Sequence, residues 1–99
     1  MVGKLKSAKK LERHFKGVAN HWRIQILLLV KKSPEVTLDN ITESLNANTK
    51  TISAHVQRLV QAGLVEKAYA GRSVQHQLTP YGKEFVAFIE RFARHGSRT

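Results

Sequence analysis

Residues 48–58 read Asn48-Thr49-Lys50-Thr51-Ile52-Ser53-Ala54-His55-Val56-Gln57-Arg58. Their polar members have the hydrogen-bonding chemistry of nucleobase edges and phosphates. Lys50 can donate to guanine acceptors or to phosphate, Gln57 can pair with adenine, and the Thr and Ser hydroxyls suit either surface. Ala54 leaves room for close approach or for a thymine methyl. Spacing lets them act together: Ile52, Val56 and Leu59 mark one side of a helix, which turns Thr49, Lys50, Ser53, Ala54 and Gln57 to the other. Asn48, Thr51 and Arg58 complete this candidate DNA-contacting set. A second cationic point, Arg72 with Ser73 beside it, suits a backbone phosphate or a narrow minor groove. An ordinary surface helix also has a polar outer face, and a turn is often polar because it is wet, so the surrounding elements must decide.

Charge points the same way but from elsewhere in the chain. The 99 residues carry 17 Lys and Arg against 7 Asp and Glu, a net charge of +10 that favours polyanionic partners. Residues 1–33 hold nine of the basic groups, including Lys4, Lys6, Lys9 and Lys10, with Glu12 as their only acid. Residues 34–66 hold only Lys50 and Arg58 against Glu35, Asp39, Glu43 and Glu66. The helix suited to reading bases is therefore not the main source of attraction.

This length fits one domain and leaves no space for a separate catalytic or ligand-binding one. Cysteine is absent, which removes disulfides, thiolate metal sites and cysteine nucleophiles. The longest apolar run, Ile26 to Val30, is far short of the roughly 18 residues that span a bilayer, and no signal-peptide pattern opens the chain. A cytoplasmic location with no membrane partner is expected.

Residues 1–6 read as a flexible basic arm, residues 7–94 as the folded domain and residues 95–99 as a frayed tail. Within the domain, a first helix is expected over Ser7 to Phe15, with Gly17 interrupting it. Asn20 caps a strongly apolar second helix through about Lys32, and Ser33-Pro34 ends it. Thr37 caps a short helix from Leu38 to about Leu45, and Asn46-Ala47-Asn48 turns into the helix Thr49 to Ala62, which stops at Gly63. Leu64 to Tyr69 and Ser73 to Thr79 form a hairpin around Ala70-Gly71-Arg72. Thr79-Pro80 then opens a last helix running to about Ala93, with Tyr81, Phe85, Phe88, Ile89 and Phe92 at helical spacing.

The resulting fold is mainly α with a small β-hairpin, the order of a winged helix-turn-helix. Local sequence carries a further likeness. Val18-Ala19-Asn20, the Thr51 to Leu59 stretch, Ala62-Gly63-Leu64-Val65, Gly71-Arg72 and Leu78-Thr79-Pro80 resemble the pattern of the arsenic-repressor (ArsR-type) family of winged-helix regulators, over about Val18 to Phe92. That resemblance implies a homodimer built on the terminal helices, a palindromic operator in double-stranded DNA, and repression relieved by an effector of unknown identity. The stripe Phe85, Phe88, Ile89 and Phe92, with Leu11 and Phe15 of the first helix, fits the implied interface; simple packing onto the chain's own core is the plain alternative.

The chain departs from the metal-sensing members. They place cysteines in the short helix where this sequence has Leu38-Asp39-Asn40-Ile41-Thr42-Glu43, and Glu84, Glu90 and His95 lack the paired spacing of ligands on the last helix. No metal or other cofactor is expected, although His14, His21 and His95 remain donors for a site between subunits. His55 and His76 read as packed or hydrogen-bonded side chains. No phosphate loop, carboxylate pair or Ser-His-Asp motif supports an enzyme. Two other readings stay open from sequence: a protein-interaction module that docks through the apolar last helix, and a metal or small-molecule sensor using a non-cysteine site.

Overall fold

The computed structural model describes residues 5–95, so Lys4 and residues 96–99 of the expected arm and tail lie outside them. The elements are α1 (Ala8–Val18), α2 (His21–Lys32), α3 (Leu38–Leu45), α4 (Thr49–Gln61), β1 (Val65–Ala70), β2 (Ser73–Leu78) and α5 (Pro80–His95).

Caps set the starts of the helices. Ser7 accepts from the Lys10 amide, Asn20 from those of Trp22 and Arg23, and Asn48 from those of Lys50 and Thr51. Thr37 and Asn40 cap α3 reciprocally, each side chain accepting from the other's backbone N–H. Asn46 leaves α3 in the left-handed region at φ 49°, a conformation asparagine tolerates better than most residues, and this turns the chain sharply into α4. Gly63 does the same after α4, at φ 76°.

The hairpin is antiparallel, in register from Val65 opposite Leu78 to Ala70 opposite Ser73. Its loop is therefore the two residues Gly71 and Arg72. Gly71 has φ 62° and Arg72 does not have positive φ, the sign pattern of a type II′ turn. Val36 adds one further antiparallel bridge, to His76. Its carbonyl accepts from both the His76 amide at 2.9 Å and the ring Nδ1 at 3.0 Å, which makes Nδ1 the protonated nitrogen of that buried ring.

Ile26, Leu27 and Val30 of α2 meet Ile41 of α3, Ile52, Val56 and Leu59 of α4, Leu64 and Val65 at the hairpin entry, and Val86 of α5. Each fully buried Ile or Leu contributes about 1.5–3 kcal/mol. α2 is the central element, touching α1, α3, α4, α5 and β2, which accounts for its apolar residues on nearly every side.

Several boundaries differ from expectation. Gly17 does not break α1, which continues to Val18; the glycine is buried inside the helix, where a Cβ would land on the Cβ of Ala62. Close crossing of α1 over the end of α4 needs glycine here. β1 starts at Val65, because Leu64 is fully buried and pairs outside the ladder, with Leu59 and Thr79. α5 runs on to His95, so this residue is helical and not part of a frayed tail. Lys6 is not free either: its Nζ lies 4.5 Å from the centre of the Tyr81 ring.

Candidate nucleic-acid interface

α3, the left-handed turn at Asn46 and α4 form the helix-turn-helix, and the core residues of α4 fix which of its faces looks outward. Asn48, Thr49, Lys50, Thr51, Ser53, Ala54, Gln57 and Arg58 are all exposed, while Ile52, Val56 and Leu59 are buried. The polar residues singled out in the sequence thus share one accessible helix. Asn48 has a local duty as well, since its Oδ1 holds the first turn at 2.8 Å and 3.3 Å from the Lys50 and Thr51 amides. Its NH2 group keeps two donors for other partners. Arg72 is exposed at the hairpin tip and Ser73 beside it is half-buried.

One flank of α4 holds a cluster that sequence reasoning missed. Arg23 donates from Nε to the Gly17 carbonyl at 2.7 Å and from Nη2 to the Lys16 carbonyl at 3.3 Å, capping the end of α1. Its Nη1 lies 3.0 Å from His55 Nδ1 on α4. Because a guanidinium only donates, His55 accepts there and is the neutral tautomer protonated at Nε2. Burial, then the charge of Arg58, lowers the pKa of Arg23 from its ordinary value. The imidazole of His55 is likewise held below its usual value, by burial first and then by Arg23, His21 and Arg58. Nothing local in the sequence marks this cluster, whose members are 32 positions apart in the Arg23–His55 contact.

The matching family model, described as a winged helix DNA-binding domain, covers residues 20–82, from the cap of α2 into α5. The chain belongs to this winged helix DNA-binding family. Among solved structures, this winged helix is similar to the homodimeric winged helix-turn-helix DNA-binding domain of Mb0332 from Mycobacterium bovis, a possible ArsR-family transcriptional regulator. The two are 25% identical over 99% of this chain and 94% of that one, with a TM-score of 0.82. HlyU from Vibrio cholerae is 25% identical over 96% and 100% of the two chains, at TM-score 0.76. The transcriptional repressor BigR from Xylella fastidiosa, at 16% identity, TM-score 0.75 and coverage of 93% and 92%, is alike in fold. The likeness to ArsR-type regulators read from the sequence agrees with the description of the M. bovis neighbour. No curated protein matches the sequence.

The winged helix presents its apolar residues at the ends of the chain in two ways. Phe85 and Ile89 pack partly against the core, whereas Leu11, Phe15, Phe88 and Phe92 are 41%, 56%, 47% and 65% exposed. Phe15 meets Phe85 edge-on at 5.1 Å, and Phe88 stacks on Phe92 at 5.6 Å. Of the histidines considered as ligands between subunits, His14 is excluded by its position: it is buried, with Nδ1 2.7 Å from the Ala62 carbonyl. Glu90 is engaged by Lys31, whose Nζ lies 2.8 Å from Oε1. Among the described residues no three His, Cys, Asp or Glu side chains converge as a metal site, and no helix is long and apolar enough to cross a membrane.

Proposed function

We propose that the chain is a sequence-specific, double-stranded DNA-binding transcriptional repressor of the cytoplasm, acting as a homodimer and not as an enzyme. The exposed polar face of α4 carries this reading, because the buried stripe at Ile52, Val56 and Leu59 leaves Lys50, Ser53, Ala54 and Gln57 free to enter a major groove. Arg72 at the hairpin tip contacts the flanking backbone, and the basic residues of α1 supply attraction independent of sequence. The homodimeric state of the M. bovis neighbour supports a second copy seated on the exposed aromatic face of α1 and α5. Two recognition helices related by a two-fold axis then read half-sites about 34 Å apart.

Selecting bound duplexes from a random pool tests this directly. An inverted repeat with half-sites one helical turn apart is expected, and enrichment of no sequence at all would overturn specific reading. On the selected site, Lys50→Ala should cost about 1–3 kcal/mol if Lys50 reads a base, while weakening binding to random duplex much less.

A further inference from the structure

α1, α2 and α4 enclose a half-open cleft of ≈ 270 Å³, with Arg13, Lys16, Arg23 and Arg58 among its walls and the buried Gly17 and Ala62 at its base. Among the described residues no carboxylate lines it. Glu12 engages Lys16 at 3.0 Å, but among the described residues no ion pair involves Arg13, Arg23 or Arg58. The cleft therefore holds a net excess of positive charge, brought together by helix packing, and among the described residues only Lys16 of its four cations has a carboxylate partner.

Arg23 is the fixed member. Three of its five N–H groups are committed, to the Gly17 and Lys16 carbonyls and to His55, which leaves one N–H on each terminal nitrogen. A guanidinium held in place loses little freedom on gaining a further partner, and its planar fork suits paired oxygens. Arg13 and Arg58 are exposed and unpaired at the walls, able to close on the same group. An oxyanion would relieve the repulsion that Arg58 exerts on Arg23 and would replace it with charge-assisted hydrogen bonds. The volume accommodates a tetrahedral oxyanion and several waters, each water taking about 30 Å³.

We propose that this cleft binds a phosphate-type oxyanion, with Arg23 as its anchor and Arg13 and Arg58 as its closing arms. The group comes either from the DNA backbone beside α4, which rests on the DNA-binding reading above, or from free phosphate, which does not.

Two arms on the full chain separate these sources. In the first, inorganic phosphate is titrated at constant ionic strength, with chloride as the balancing anion, while the arginine Nε–H resonances are followed. Saturable shifts at Arg23, weakened roughly tenfold in Arg58→Gln by loss of one charge-assisted hydrogen bond, are the expected result for free phosphate. In the second, the log–log salt slope for random duplex is compared between wild type, Arg13→Gln and Arg58→Gln. Each lost phosphate contact should flatten it by about 0.9. Both substitutions are at exposed positions, and an unchanged melting temperature verifies folding. A flatter slope without free-phosphate binding assigns the cleft to DNA; phosphate binding that does not compete with duplex assigns it to a free anion. Unchanged slopes together with absent phosphate shifts overturn the proposal, even if duplex binding itself persists. Phosphate binding without any duplex binding would keep the cleft and sink the DNA reading.

Discussion

The ring Nδ1 of His14 lies 2.7 Å from the carbonyl oxygen of Ala62, joining α1 to the end of α4. A carbonyl only accepts, so Nδ1 carries the proton and donates. His14 is 3% exposed and its ring centre is 5.0 Å from that of Tyr81, so one side chain links α1, α4 and α5. His14→Ala leaves a buried acceptor unpaired and a void beside Tyr81. The expected loss is about 2–3 kcal/mol of unfolding free energy, read from the urea midpoint at an unchanged slope. A loss under about 0.5 kcal/mol, the level of ordinary surface changes, would show that the bond does not hold the helices together.

Gly17 makes the same crossing from the opposite requirement, that of having no side chain. Replacement by alanine favours an isolated helix by up to about 1 kcal/mol, yet here the new methyl lands on Ala62 and forces α1 away. Gly17→Ala should destabilise by about 1–3 kcal/mol through overpacking. Adding Ala62→Gly removes the clash, so the double variant should recover most of the loss. Additive losses in the thermal midpoints would rule out direct contact as the cause.

His55 makes stability depend on pH. Its folded-state pKa is depressed, by burial first and then by Arg23, His21 and Arg58, relative to an ordinary value of 6.5. The unfolded chain therefore binds the proton more readily, and stability rises with pH wherever that difference persists. The contribution of His55 is fully present above about pH 6.5 and is lost progressively as pH falls through the folded value, where the ring gains a charge facing Arg23. Denaturant midpoints measured from pH 7.5 to 5 should decline, and His55→Gln should flatten the decline. An equal decline in the variant would place the proton elsewhere.

These contacts also mark what the sequence made legible. Apolar periodicity and local caps identified α2 to α5, and Asn48, with Ile52, Val56 and Leu59, indicated the outward face of α4, because both signals act within a few residues. Gly17, His14 and Arg23 were misread or missed for the opposite reason. A buried glycine and a helix-breaking one look alike along the chain; only the position of Ala62, brought against Gly17 by folding, tells them apart. His14 occurs among Lys and Arg on a helix that looks polar, yet it points at a carbonyl 48 positions away. Helical spacing alone leaves the aromatic stripe open to an interface or to the chain's own core, and packing divides it between the core at Phe85 and Ile89 and the surface at Phe88 and Phe92.

That division gives a test of assembly. Phe92 is 65% exposed and stacks on Phe88, so in a single chain its loss removes little core packing. If the face of α1 and α5 joins two copies, Phe92→Glu introduces a charge where the apolar surfaces meet, and two-fold symmetry places it there twice. Sedimentation should change from dimer to monomer at micromolar concentration, while the circular dichroism spectrum retains its helical shape. Binding to an inverted repeat should fall steeply as the linked second half-site is lost, whereas binding to an isolated half-site should change little. A variant that remains dimeric would place the interface elsewhere and leave the exposed aromatic pair without this role.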